Sequence, residues 1–376
     1  MIDGLPIQLR GNRHRRNWRK EWLLRQREKQ LWRKNRKKRR GTVSFRPQSR
    51  LHLNTHTKHH VNSDKELKLT IELPERLDFD SNYEETASHF AALREAVHKG
   101  IRIKNLDFSR IRYISPSAAL VLASEVDQWN QRIGGRLKAN LPSWDEDIKR
   151  LLCQMGYFEL LKLERPEAAW PVKSNTFLQF KRGQSFKHGQ ENKEDGGQLA
   201  KQLRMEIESI VGQTIKKCFL FEGLSEAITN VGQHAYPGVI DYTQKRWWLS
   251  ASYDADERKL SVTFYDQGEG IPKTLPRFTL LEFIKDFSVS WPDSQKISAA
   301  MDVGRTSSRL AERGKGLQNL IEFAKAHRHG SISIYSLRGL YNQVFTNDGN
   351  TQTHDKTHRD FENSIGGTLV EWSVNL

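Results

Sequence analysis

The chain has only two cysteines in 376 residues, Cys153 and Cys218, too few for a disulfide framework, so stability has to come from a packed core. Long hydrophobic runs are missing too. The longest fully apolar stretch is residues 118–123, far short of the roughly 20 residues that cross a bilayer. No basic start leads into an apolar segment of the secretory kind. Together these absences read as a cytoplasmic chain without a transmembrane segment. Hydrophobic residues are sparse, at 36% with a mean hydropathy of −0.72, but the shortage is local. Residues 10–40 hold 16 basic and two acidic residues out of a net charge of +16. With that segment and the lone Asp3 set aside, residues 41–376 carry only +3, so the body of the chain can bury an ordinary core, and its length suits two domains or three small ones.

The basic segment has one glycine and no proline, and its Arg, Lys, Leu and Gln favour helix. It could release counterions from nucleic acid with Trp18 and Trp22 stacking on bases, lie on an anionic membrane or an acidic protein, or simply be solvated. His52, His56, His59 and His60 have a spacing that could hold a metal, but no cysteine accompanies them and the Asn, Thr and Ser around them read as linker. Residues 1–65 are therefore an arm and linker.

From 66 to 164 strand and helix signals alternate. KLTIEL has period two, residues 85–100 are helical, IRIKNLDFS is a strand, residues 115–135 form an amphipathic helix ending at glycine, RLKANLP is a strand, and residues 143–161 form a helix with a serine cap. This is a compact α/β domain. Residues 165–198 read as a linker, with the Gly-, Gln- and charge-rich stretch 182–198 as loop. Residues 199–376 hold two helices, the strands WWLSASYD and KLSVTFYD, a long irregular region to about Glu312, a helix opened by RGKGLQNLIEFAK, and the strands SISIYS and GTLVEWSV. The expected layout is an α+β domain, a mostly antiparallel sheet with helices on one face.

Chemistry concentrates in this last region. Glu226, Asn230 and His234 stand at i, i+4 and i+8, on one face of a helix whose other faces are apolar, and a polar stripe on such a helix calls for a ligand. A carboxylate and an amide oxygen are hard donors suited to Mg2+, and the carboxylate can act as a base. The strand ending in Asp266 turns through Gly268 and Gly270, which permit close backbone approach to a ligand. Gly314, Lys315, Gly316 and Leu317 open a helix whose free N–H groups and dipole favour phosphate. The three motifs follow one another about 40 and 48 residues apart.

In these motifs the sequence resembles the GHKL ATP-binding family of gyrase-type ATPases, heat-shock chaperone ATPases and sensor histidine kinases. Glu226 and Asn230 match its N box, Asp266, Gly268 and Gly270 its first glycine box, and Gly314, Gly316 and Leu317 its second. The resemblance covers roughly 200–376 and implies a Bergerat-type α/β sandwich. Asn230 would bind Mg2+, Asp266 would recognise the adenine amino group, the second glycine box would contact phosphates under a mobile lid, Glu226 would be the base and Thr368 would line the adenine end. The string EAITNVGQHAY looks most like the anti-sigma-factor serine kinases, although residues 277–313 are longer and less glycine-rich than the lids of those small enzymes.

Leu106 to Leu120 read as strand, short loop and helix start, with Ser115 as N-cap and Pro116 at the first helical position. With the helix that follows, this stretch resembles a STAS domain, the fold of anti-sigma-factor antagonists, over about 66–164. Ser117 falls at the phospho-acceptor position of those proteins, and Pro116 and Ala118 depart from their usual context. Ser115 and Ser117 could equally do no more than cap the helix. The resemblances imply an ATP-dependent serine kinase fused to its STAS partner, an ATPase acting as a conformational switch, or a scaffold that senses ATP without turnover. ATP, a protein of the STAS or anti-sigma type, a second copy of the chain and, through the arm, nucleic acid are the partners to test.

Overall fold

The computed structural model describes residues 68–99, 102–133, 141–160, 164, 175–184, 193–215, 219–239, 244–275, 288–306, 316–347 and 352–376. Residues 57–376 belong to one compact unit. The basic arm, the histidine cluster and residues 136–140 of the expected strand RLKANLP lie outside the described residues, as do Gly314 and Lys315, while its last two residues, Leu141 and Pro142, begin a 3-10 turn instead.

In the first part of the unit, β1 (Lys68–Glu72) pairs in parallel with β3 (Arg102–Asp107) across the helix α1 (Tyr83–His98), and β2 (Arg76–Leu77) pairs in parallel with β4 (Tyr113–Ile114). Helix α2 (Pro116–Ile133) starts as its sequence dictates, with Ser115 Oγ accepting from the Ala118 N–H at 3.3 Å and Pro116 at the first helical position. The helix α3 (Glu146–Gln154) is capped by Asp145, whose Oδ1 accepts from the N–H groups of Asp147 at 2.9 Å and Ile148 at 3.3 Å. The expected serine cap is thus two residues early: Leu141–Ser143 form a separate 3-10 turn. A short helix α4 (Tyr157–Leu160) follows.

The rest of the unit is built on a seven-stranded antiparallel sheet made of β5 (Asn175–Gln184), β6 (Arg246–Asp254), β7 (Lys259–Asp266), β8 (His329–Ser336), β9 (Gly339–Asn347), β10 (Gln352–Asp360) and β11 (Thr368–Asn375), in the order β10-β9-β8-β11-β7-β6-β5. Its helices are α5 (Lys193–Val211), α6 (Phe219–Asn230), which runs into a π turn at Val231–Ala235, α7 (Ile271–Thr274), α8 (Asp293–Thr306) and α9 (Gly316–Lys325). The architecture is mixed α and β. Among the described residues no helix is long and apolar enough to cross a membrane.

Strand alternation sends side chains to two separate cores. Val262, Phe264, Ile332, Ile334, Val370 and Trp372 pack with α5, α6 and α9. Trp248, Tyr265, Tyr335 and Leu369 pack instead with the residues of α1 and α2. The helices α5, α6 and α9 thus cover one face, as expected for residues 199–376, and α1 and α2 of the first part cover the other. Being enclosed explains why α2 is not amphipathic: residues 117–127 are all buried, Ser124, Glu125 and Asp127 included. At the seam Tyr83 stacks on Phe361 and Tyr335, and the Glu84 carboxylate accepts from the backbone N–H groups of Glu362 at 2.7 Å and Asn363 at 2.9 Å. The region read as linker contributes structure as well, because β5 is an edge strand of the sheet and α5 begins at Lys193.

Candidate functional site

Leu224, Ile228 and Val231 anchor the inner face of α6 in the core. Gly223 lets α9 come close, since a Cβ there would run into the Leu320 side chain. That leaves Glu226 and Asn230 half-buried on a neighbouring face. Burial pushes the Glu226 carboxyl above its usual range, and the hydrogen bond donated by the Asn230 amide pulls it back. His234 lies half-buried in the π turn.

The turn is fastened to the glycine-containing segment that follows Asp266. Glu269 N–H donates to the Ala235 carbonyl at 2.7 Å, and Gly268 sits against Ala235 where a Cβ would collide with that same carbonyl. Tyr236 bridges the two, its hydroxyl donating to the Arg246 carbonyl at 2.7 Å and accepting from Gln267 N–H at 3.0 Å. Asp266 ends β7, accepts at Oδ1 from Gly268 N–H at 2.8 Å, and is buried at 6% exposure. Burial raises its carboxyl from 3.8 to about 7 against that single hydrogen bond. Gly270, at φ +81°, leads Ile271 N–H to Ser336 Oγ at 2.9 Å.

In sheet register Asp266 pairs with Thr368, and Thr368 with Ser336. Ser336 and Thr368 hydroxyls are 3.0 Å apart. By strand alternation with Phe264, Val370 and Ile334, all three face the α6 side. The structure thus brings Glu226, Asn230, His234, Asp266, Gly268, Gly270 and Thr368 to one end of the sheet. Gly316 and Leu317 open α9, which packs along α6. Tyr236 and Ser336 were not singled out from the sequence. The signals were there: Tyr236 closes the string EAITNVGQHAY, and Ser336 breaks the apolar alternation of β8. A shallow groove along α5, lined in part by Gln198, Gln202 and Met205, carries none of these motif residues.

Ser117 lies elsewhere. It is buried at 4% exposure, its Oγ 3.1 Å from Ser115 Oγ, and it donates to the Glu371 carboxylate. Glu371 follows the alternation of Leu369 onto the α2 side of the sheet, so the sheet stands between Ser117 and Glu226. The residue expected as phospho-acceptor is, in this arrangement, a buried hydrogen-bond donor to a carboxylate. Burial, with Asp78 and Asp80 adding to it, raises Glu371 from 4.5 to about 7 despite the bond from Ser117. A carboxyl raised in the folded state stabilises fully below its unfolded value, and that stability is lost as pH rises through about 7. Glu371→Gln is accordingly expected to flatten the fall in unfolding midpoint between about pH 5 and 8 and to gain on the order of 3 kcal/mol at pH 8. Thermal melts across that range check this, and an unchanged slope would contradict it.

No protein-family model matches the chain, and no curated protein matches it. The functional reading therefore rests on the residues and their geometry.

Proposed function

We propose that residues 199–376 bind ATP with Mg2+ and that the chain is a regulatory ATP-binding protein, a serine kinase of the anti-sigma type acting on a partner. What supports this is the gathering of Glu226, Asn230, Asp266 and Thr368 at one end of the sheet around a glycine turn, with α9 packed along α6. An amide oxygen such as that of Asn230 suits a hard divalent cation, with Glu226 beside it. Mg2+ would neutralise charge on the phosphates. Asp266 keeps one carboxylate oxygen for the adenine amino group, since Gly268 N–H occupies the other. The N-terminus of α9 would favour phosphate. Glu226, its basicity raised by burial, takes the proton from an attacking serine hydroxyl as the new P–O bond forms and the β–γ bond breaks.

A second reading, an ATPase that switches conformation with Glu226 activating water, draws support from the placement of Ser117. A serine sealed against Glu371 on the far side of the sheet is no acceptor for this site, and the α1–α2 layer is then a packed responder to the nucleotide. Calorimetric titration of the full chain with Mg-ATP tests the shared claim. Glu226→Ala is expected to keep ATP affinity within a few-fold while lowering turnover by about 100-fold or more. Intact mass after incubation with a candidate partner separates the readings, because a phosphoryl group gained by the partner favours the kinase and phosphate released to water favours the switch. Absence of ATP binding at millimolar nucleotide would overturn both.

A further inference from the structure

On the α2 side of the sheet, behind the candidate nucleotide site, Arg94 of α1 and Glu125 of α2 form a buried ion pair, Nη1 to Oε1 at 2.7 Å, with the Glu125 side chain wholly enclosed. Each partner reaches a different strand end. Arg94 Nη2 donates to the Ser364 carbonyl at 2.8 Å, and its guanidinium lies on Gly366, where a Cβ would come within 2.7 Å of Cζ. Tyr265 OH, 3.4 Å from Glu125 Oε1, donates to the Gly366 carbonyl at 2.8 Å. Gln267, the residue after Asp266, lies close enough to the Glu125 carboxyl to favour its charged form, and its Nε2 donates to the neighbouring Ser124 Oγ at 3.5 Å. So the pair grips residues 265–267, which include Asp266, and residues 364–366, which lead into Thr368.

The grip is incompletely satisfied. Gln267 Oε1 is buried with no hydrogen-bond partner among the described residues. Burial pushes the Glu125 carboxyl up while Arg94 pulls it down. A buried charge held this way is sensitive to small displacements of what surrounds it. Displacing α1 against α2 would move the pair, and the pair holds both walls of the site.

We propose that Arg94 and Glu125 are positioning residues for the nucleotide site, fixing Asp266 and Thr368 from the opposite side of the sheet and coupling nucleotide affinity to the packing of α1 on α2. This rests on the ATP reading of that site. Neither residue touches the nucleotide, and both act through Gln267, Tyr265 and Gly366. Coupling of this kind is reciprocal, so nucleotide would also tighten the α1–α2 layer.

The test uses the full chain carrying Glu125→Gln, and the double variant Arg94→Met/Glu125→Gln, which leaves no buried charge unpaired and so stays folded if the single variant does not. Hydrogen exchange without nucleotide is read first. Amides in 266–270 and 366–368 are expected to exchange about 10-fold faster than in the unaltered protein, while those of β9 stay unchanged. ATP affinity is read second and is expected to fall about 10-fold. Unchanged exchange in those segments overturns the proposal, as does altered exchange with affinity held within about twofold. If the unaltered protein binds no nucleotide, the ATP reading fails and takes the coupling with it, whereas unaltered binding with unaffected variants rejects the positioning pair alone.

Discussion

Asp266→Asn is expected to weaken ATP binding by about 100-fold or more while making the protein more stable at pH 8. The two effects have one cause, a carboxyl buried at the end of β7 and raised to about 7. Above that pH the folded state carries a desolvated negative charge, so the stability present below 3.8 is lost as pH rises through about 7. An amide carries no charge at any pH and removes that loss, worth on the order of 4 kcal/mol. It can still accept from Gly268 N–H, but the oxygen proposed for the adenine amino group becomes an NH2, and on that proposal two donors would face each other. Binding should therefore fall as the unfolding midpoint rises, a combination that general damage to the fold does not produce. Calorimetry and thermal melts on the same sample at pH 8 check it. Affinity within about threefold of the unaltered protein would remove Asp266 from the site.

Gly367→Ala is expected to cost more stability than any surface glycine change, about 3 kcal/mol or more. Gly367 has φ +125°, and a Cβ would collide with the Asp266 carbonyl oxygen and come within 3.0 Å of Gln267 Cα. Neither neighbour is a flexible side-chain end, so the strands must part where Asp266 and Thr368 pair. Gly212 supplies the comparison. At φ +74°, a Cβ added there would meet nothing within 4 Å, so Gly212→Ala carries only the backbone penalty, about 1 kcal/mol. Denaturant unfolding of both variants isolates the collision, and equal losses would show that it is relieved.

Much of the sheet and the site could be read from the chain because those residues obey a period. Val262 and Phe264 alternate toward one core and end at Asp266, and α6 buries Leu224, Ile228 and Val231 while keeping Glu226 and Asn230 together. The elements that escaped lack that contrast. β10, with the sequence QTHDKTHRD, is an exposed polar edge strand, and its charges are of the kind that discourage edge pairing rather than signal a strand. α8 lies in the stretch read as irregular, and β5 in the stretch read as linker. Coverage of the second face was hinted at by β6, whose Trp247 to Ala251 are buried without alternation, the pattern of a strand enclosed on both sides. Which helices lie there depends on pairings distant in sequence, and local periodicity carries no record of them.

The strand order also sets a timetable. β5, β6 and β7 form one antiparallel run, β8, β9 and β10 another, and β11 alone joins them, paired with β7 on one side and β8 on the other. As the ribosome delivers these strands in order, the two ribbons are made first and wait for the wedge that unites them, a late, long-range closure of the kind that slows folding. Thr368 rides in on that wedge, so Asp266 gains its partner across the sheet only when the sheet itself becomes whole. Until then the β7 edge at Asp266 is left without the partner strand that covers it in the finished fold.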